Sequence, residues 1–200
     1  GATVLVTDKS MWAGLRDKLH GLDNLRCVLL AGGGVPAAYN GNGLKVLGLE
    51  ASLAAIYTWE PPHNTRSHDP AYLVYTSGTT GYPKGVLHAH RAMIGREPAA
   101  KYWFDFGIEG TPEVANTPDR IVHSGKFNWT YVLGSGLMDP LYRGKTVIVH
   151  EGRNDAEGWI RLIAKHGATI FIGVPTIYRQ IIQKTAFTGA DVPTLRHCMS

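Results

Sequence analysis

Short apolar runs alternate with stretches of helical period along this chain, and that alternation limits the available folds more than any other feature. ATVLVTD (2–8) is rich in Val and Thr and predicts a strand. KSMWAGLRDKLHGL follows with Met11, Trp12, Leu15 and Leu19 at helical spacing and Gly21 as a stop. LRCVLLAGGG (25–34) reads as a second buried strand closing in glycines. Strand, helix, strand is the grammar of a parallel sheet, so the expected fold class is α/β, a mostly parallel sheet flanked by helices.

The rest of the chain continues the pattern. LEASLAAIYTW (49–59) predicts a helix and EPPHNTRSHDP (60–70) an irregular connector, with two α/β subdomain portions meeting near 60–70. AYLVY (71–75) is again a strand. VLHAHRAMIGREPAAKYWF (86–104) predicts a helix that Pro98 kinks or breaks. RIVHSGKFNWTYVLGSGLMDPLYRG (120–144) combines a strand start, a loop and a short helix, and KTVIVHEG (145–152) is a strand. DAEGWIRLIAKHG (155–167) is helical, with Trp159, Leu162 and Ile163 on one face. ATIFIGVP (168–175) is a strand, and TIYRQIIQKT (176–185) a helix with Thr176 as its expected N-cap. Trp12, Trp59, Trp103 and Trp159 fall at helical spacing and are expected in the core.

Composition excludes several classes. The net charge of +4 comes from 20 basic and 16 acidic residues spread along the chain. Without a block of like charge it marks no nucleic-acid patch. Cys27 and Cys198 have neither paired spacing nor a histidine cluster beside them, which argues against a disulfide framework and a zinc site and suits a reducing compartment. No apolar run is long enough to span a membrane, so a cytoplasmic location is expected. The oligomeric state is not readable.

The stretch YTSGTTGYPKG (75–85) does not fit a core. A loop that grips phosphate needs inward backbone N–H groups, hydroxyl donors and a cation. Gly78, Gly81 and Gly85 allow the positive-φ geometry and close approach. Thr76, Ser77, Thr79 and Thr80 supply hydroxyls, and Lys84 supplies charge beside Pro83. With a strand before it and a helix expected after it, the loop occupies the place where α/β sheets hold ligands. It is not a Walker A loop, because Lys84 follows Pro83 and precedes Gly85.

The same eleven residues resemble the signature of the adenylate-forming, or AMP-binding, superfamily at every specified position, and the chain is most similar to the acyl- and aryl-CoA ligase branch, notably benzoate-type CoA ligases. That resemblance implies that Thr76, Ser77, Gly78, Thr79, Thr80, Gly81 and Lys84 receive the phosphates of ATP, with Lys84 the catalytic point charge. GKFNWTYVLGSGLMDPLYRGKTVIV resembles the acyl-pocket segment, which implies pocket roles for Trp129, Thr130 and Tyr131. FIGVPTIYRQII resembles the strand-to-helix corner beside that pocket and implies Gly173, Val174 and Pro175 as walls. Thr130 and Val132 stand where smaller residues are usual, and a register borrowed from acetyl-CoA synthetases competes for Trp129.

By this resemblance residues 1–200 are part of a large adenylation domain, without the small C-terminal domain that bears the adenylation lysine, and inactive alone. The implied reaction is ATP-dependent activation of a small carboxylic acid to an acyl-adenylate and transfer to coenzyme A, with ATP, Mg2+ and coenzyme A as participants and no protein metal site. The identity of the acid stays open. Other readings are an adenylation domain that loads a carrier protein and a non-catalytic nucleotide-binding α/β module. A nicotinamide or flavin site built on Gly32, Gly34 and Ala37 requires a helix that VPAAYNGNG does not supply. His88 and His90, read as helical, lie on different faces and predict packing rather than metal binding. His123 is open between a core or solvated histidine and one facing the acyl pocket.

Overall fold

Three parallel strands form the first of two units, Gly1–His63. The computed structural model describes residues 1–33, 43–77, 81–106, 118–152 and 155–200. β2 (Cys27–Ala31) runs between β1 (Val4–Asp8) and β3 (Lys45–Gly48), parallel to both. As the central strand it buries Val28 and Leu30 completely, against Trp12, Leu5, Leu19 and Val46. Trp12 comes from α1 (Lys9–Leu15), which starts where the Asp8 carboxylate accepts from the Ser10 amide at 2.7 Å. α2 (Leu49–Ala54) follows β3 directly.

Two features of this unit depart from the sequence reading. The predicted helix over 49–59 ends at Ala54, and Trp59 is 79% exposed rather than in the core. Gly32 and Gly33 turn with φ of 89° and 95°, but the Gly32 amide donates to the Glu50 carboxylate at 2.8 Å. A Cβ at Gly32 would also meet Asp8 Oδ2 at 3.3 Å. Two carboxylates against this turn leave it unsuited to a pyrophosphate. Gly34 and Ala37 lie outside the described residues.

The second unit, Asn64–Ser200, holds two sheets. β4 (Pro70–Thr76) and β5 (Lys84–Ala89) form an antiparallel pair. The four-stranded sheet is parallel throughout, in the order β7 (Thr146–Ile148), β6 (Arg120–His123), β8 (Ile170–Ile172), β9 (His197–Met199). Alternation sends successive side chains to opposite faces. Val122 and Phe171 pack with Trp159, Ile160 and Ile163 of α7 (Ala156–His166), and with Ile177, Tyr178 and Ile181 of α8 (Pro175–Lys184). Ile121, Ile170, Ile172 and Met199 pack on the other face with Phe104 and Tyr131.

The helices obey local rules. α7 is capped by the Asp155 side chain, which accepts from the Gly158 amide at 2.6 Å, and ends on left-handed Gly167 at φ 58°. α8 begins one residue earlier than expected: Pro175 opens it and Val174, not Thr176, is the N-cap, with no side-chain bond. The 86–104 segment is not one helix. Lys84–Ala89 is strand, followed by α3 (Arg91–Gly95) and α4 (Glu97–Tyr102), with Pro98 in the first turn of α4, where its missing N–H costs nothing. Trp103 is 44% exposed, so of the four tryptophans expected inside only Trp12 and Trp159 are buried.

The residue preceding each strand of the parallel sheet joins one polar cluster. Asp119, 2% exposed, accepts from Arg196 Nε at 3.0 Å and Nη2 at 2.9 Å, and from the Thr169 hydroxyl at 2.8 Å; Lys145 Nζ stands 4.0 Å away. The Thr169 hydroxyl in turn accepts from the Arg120 amide at 3.0 Å. All four strands are tied together at their starting ends.

Candidate functional site

The 75–85 loop is the connection of a hairpin, not a strand-to-helix turn. Thr76 pairs with Lys84 across it, Val74 with Val86 and Tyr72 with His88. Paired residues share a face, and the Tyr72 and His88 rings stack at 4.5 Å, 6° from parallel. His88 therefore belongs to a strand, and its partner is an aromatic ring. His90 lies in the turn before α3. On the opposite face Gly85 lies under two side chains: a Cβ there would meet Leu73 Cδ1 at 3.1 Å and Tyr75 Cε1 at 3.5 Å. That close approach is a structural reason for this glycine.

At the open end of the hairpin Thr76 and Ser77 are exposed, and the Thr76 hydroxyl reaches the Lys84 carbonyl at 3.4 Å. Gly81 takes φ 85°, which a side chain rarely tolerates. Lys84 is exposed and has no ion-pair partner among the described residues. Gly78, Thr79 and Thr80 lie outside the described residues. A hydroxyl and a free cation thus stand on one face of a strand pair, beside a glycine in a left-handed conformation. Such a group can meet an anion.

The second part of the site lies where the parallel sheet parts. After β6 the chain passes to the face that holds Tyr131; after β8 it passes to the opposite face, into α8. Adjacent parallel strands whose connections leave to opposite faces form a switch point, the usual ligand position in an open α/β sheet. His123 ends β6 and pairs with Ile172 at the end of β8, and the Ser124 amide donates to the Ile172 carbonyl at 2.9 Å. Gly173 comes next on β8, buried against Tyr178, whose ring a Cβ would meet at 3.1 Å. Val174 and Pro175 follow and are exposed.

Tyr131 belongs to an unbroken helical run: α5 (Thr130–Val132), a π-helical stretch Leu133–Met138, and α6 (Asp139–Tyr142). π turns concentrate at functional sites. This one presses Gly136 onto His123, such that a Cβ would lie 3.0 Å from the imidazole. The Tyr131 ring meets His123 edge-on at 5.2 Å and Trp103 at 6.2 Å, and burial pushes its hydroxyl's pKa up. Trp129 is 70% exposed and Thr130 is exposed, both at the start of the run. The structure thus brings Tyr131 and Gly173 to the same end of one sheet, on opposite faces, with Trp129, Thr130, Val174 and Pro175 exposed. No hydrogen bond, ion pair or ring contact joins these residues to the 75–85 hairpin among the described residues.

One element was missed in the sequence. Arg96, between α3 and α4, grips Asp139 with two hydrogen bonds, Nε at 2.6 Å, and this pairing raises the guanidinium's pKa. Arg and Asp 43 residues apart carry no local signal. His123, left open in the sequence between a core or solvated histidine and one facing the acyl pocket, is buried rather than solvated. It is 7% exposed, its Nδ1 accepts from the Gly125 amide at 2.9 Å, and its Nε2 has no hydrogen-bond partner among the described residues. Burial holds its pKa down at about 4. The Ser-Gly step after a strand was its one visible sign.

Among the described residues no group of three or more His, Cys, Asp and Glu is placed to hold a metal ion, and none of the helices is long and apolar enough to cross a membrane. Both cysteines are free.

A parallel sheet flanked by helices, with a switch point and an added β-hairpin, places the chain in the α/β class. The chain belongs to the AMP-binding enzyme family, whose model matches residues 1–200. It is 36% identical over 132 residues to a 3-hydroxybenzoate–CoA/4-hydroxybenzoate–CoA ligase of Thauera aromatica, an overlap of 66% of this chain and 24% of that protein. It is 31% identical over 134 residues to an acetyl-coenzyme A synthetase of Bacillus subtilis, 66% of this chain and 22% of that one. Among solved structures it is similar to an anthranilate CoA ligase in complex with anthranoyl-AMP, with TM-score 0.75 and 26% identity, covering 98% of this chain and 35% of that one. The chain therefore spans about a quarter of the length of the curated relatives it matches.

Proposed function

We propose that this chain supplies the phosphate-gripping loop and part of the acid pocket of an ATP-dependent acyl- or aryl-CoA ligase. A carboxylate oxygen of the acid attacks the α-phosphorus of Mg·ATP, the bond to the bridging oxygen breaks, and pyrophosphate departs. The coenzyme A thiolate then attacks the acyl carbonyl of the mixed anhydride, AMP leaves, and a thioester remains. Magnesium enters as part of the nucleotide substrate, since no described carboxylate cluster fits it. Relatives that act on hydroxybenzoates and on acetate support acid–CoA ligation as the shared chemistry.

No side chain becomes a nucleophile in this scheme, so the protein's contribution is positioning and stabilisation of charge. The 75–85 hairpin holds the leaving pyrophosphate, with Lys84 as the point charge and Thr76, Ser77, Thr79 and Thr80 as donors. Tyr131, Gly173 and their neighbours hold the acid at the switch point. The observation that carries the reading is Lys84, exposed and without an ion-pair partner among the described residues, paired with Thr76 across the hairpin.

The test is acid-dependent ATP–pyrophosphate exchange in the protein that carries this segment. Lys84→Ala is expected to cost about 1–3 kcal/mol, roughly 5- to 150-fold in rate, less than a rigid preorganised donor because the site is hydrated. An unchanged rate overturns the assignment. Thioester formation with free coenzyme A separates this reaction from loading of a carrier protein.

A further inference from the structure

We propose that His123 is a specificity determinant, its Nε2–H donating a hydrogen bond to a hydroxyl or carbonyl oxygen that the acid carries in addition to its carboxylate. The inference rests on the acid-activating reading above and names the substrate class within it. The direction of the bond follows from the ring itself. Nδ1 accepts from the Gly125 amide, so the proton of the neutral imidazole sits on Nε2, which is then a donor only. That donor is buried, and no acceptor meets it among the described residues. Leaving a buried donor unpaired is costly.

The surroundings select what can pair with it. The imidazole stands at the switch-point end of β6, confined by Gly136 of the π turn, by Gly125, and by the edge-on ring of Tyr131. The Tyr131 ring, edge-on to the imidazole, is apolar on the side it presents and offers Nε2 no acceptor. Arg96, whose guanidinium packs against the π turn at Gly134, is committed to Asp139. A neutral oxygen is the acceptor that a neutral donor can take without burying a charge. The carboxylate itself must remain with the nucleotide, where it reacts.

The test titrates the 15N-histidine-labelled chain with benzoate, 3-hydroxybenzoate and 4-hydroxybenzoate, following His123 by long-range 1H–15N correlation. The free chain should show the Nε2–H tautomer, and at least one hydroxybenzoate, but not benzoate, should move the Nε2 resonance in the hydrogen-bonding direction. The affinity ratio of that hydroxybenzoate to benzoate should fall roughly threefold to tenfold in His123→Leu, the worth of one neutral hydrogen bond, and recover in His123→Gln, which keeps a donor there. An Nδ1–H tautomer, an equal response to benzoate, no response to any acid, or an unchanged ratio in His123→Leu would each overturn the proposal. Because ATP is absent, the outcome is independent of pyrophosphate exchange: selective shifts without exchange remove the ligase reading, and exchange without selective shifts removes this one.

Discussion

Acid should destabilise this fold through His123. Burial alone lowers its pKa from the ordinary 6.5 to about 4, with no charged partner contributing. The unfolded chain therefore takes up a proton over a pH range in which the folded chain does not. Because the unfolded state binds more protons there, stability rises with pH, and the contribution is complete above 6.5 and lost as pH falls towards 4. The gap between 6.5 and about 4, at about 1.36 kcal/mol per pH unit, is worth about 3 kcal/mol. The assay is urea denaturation at a series of pH values from 4 to 7.5, for the native chain and for His123→Leu. Every other titrating group is common to both proteins, so the difference between the two curves isolates this imidazole. The native chain should lose about 3 kcal/mol more than the variant across that window. Parallel curves would refute the claim that His123 is held neutral by burial.

Further predictions concern the supports of the site. Asp119→Ala should destabilise by about 3 kcal/mol, read from the urea midpoint, the lower end for breaking a buried ion pair. It removes the buried carboxylate from Arg196, which is partly exposed and keeps its Asp105 contacts, and takes from the Thr169 hydroxyl the nearer of its two acceptors. Gly136→Ala should cost about 1–3 kcal/mol, because its methyl would stand 3.0 Å from the His123 ring within a packed layer. The same substitution at Gly144, where nothing lies within 4 Å but φ is 67°, should cost only the backbone term of about 1 kcal/mol. A Gly136→Ala cost no larger than that of Gly144→Ala would refute the crowding at His123.

Which parts of this architecture were legible depended on whether the cause was local. The α/β class follows from alternating strand and helix periods, and the sheets bear it out. Helix α7 announces itself through Asp155, its apolar face and Gly167, all within one turn of its ends. β3 and β9 do not, because Lys45–Gly48 and His197–Met199 are too short to show a period; they are strands because β2 and β8 offer them open edges. β5 was hidden for another reason. The run VLHAH passes straight into the helical RAMIG, and only the pairing of His88 with Tyr72 separates the two. Trp59 and Trp103 were misplaced because helical spacing predicts a shared face, not what covers it. The glycine–hydroxyl loop stood out in composition, but its hairpin setting did not. The pairing of Arg96 with Asp139 depends on residues brought together by folding.

The two ends of the parallel sheet carry opposite kinds of polarity, and this contrast explains how one scaffold can be rigid and receptive at once. At the starting ends, Asp119, Lys145, Thr169 and Arg196 bond one another and fix the register of all four strands, with Arg120 Nε alone of that end's side-chain donors buried without a partner among the described residues. At the finishing ends, His123 Nε2 and the Ser124 hydroxyl are buried without partners among the described residues and no such network joins them. A network closed on itself resists movement, whereas open donors held by such a network are already desolvated and oriented before anything binds. The cost of burying them is met in folding rather than on binding, so a ligand that completes these bonds gains most of their worth. The same argument says why Asp119 should matter to the proposed acid site at the other end of the sheet: loosening the starting ends lets β6 shift, and with β6 goes the aim of His123.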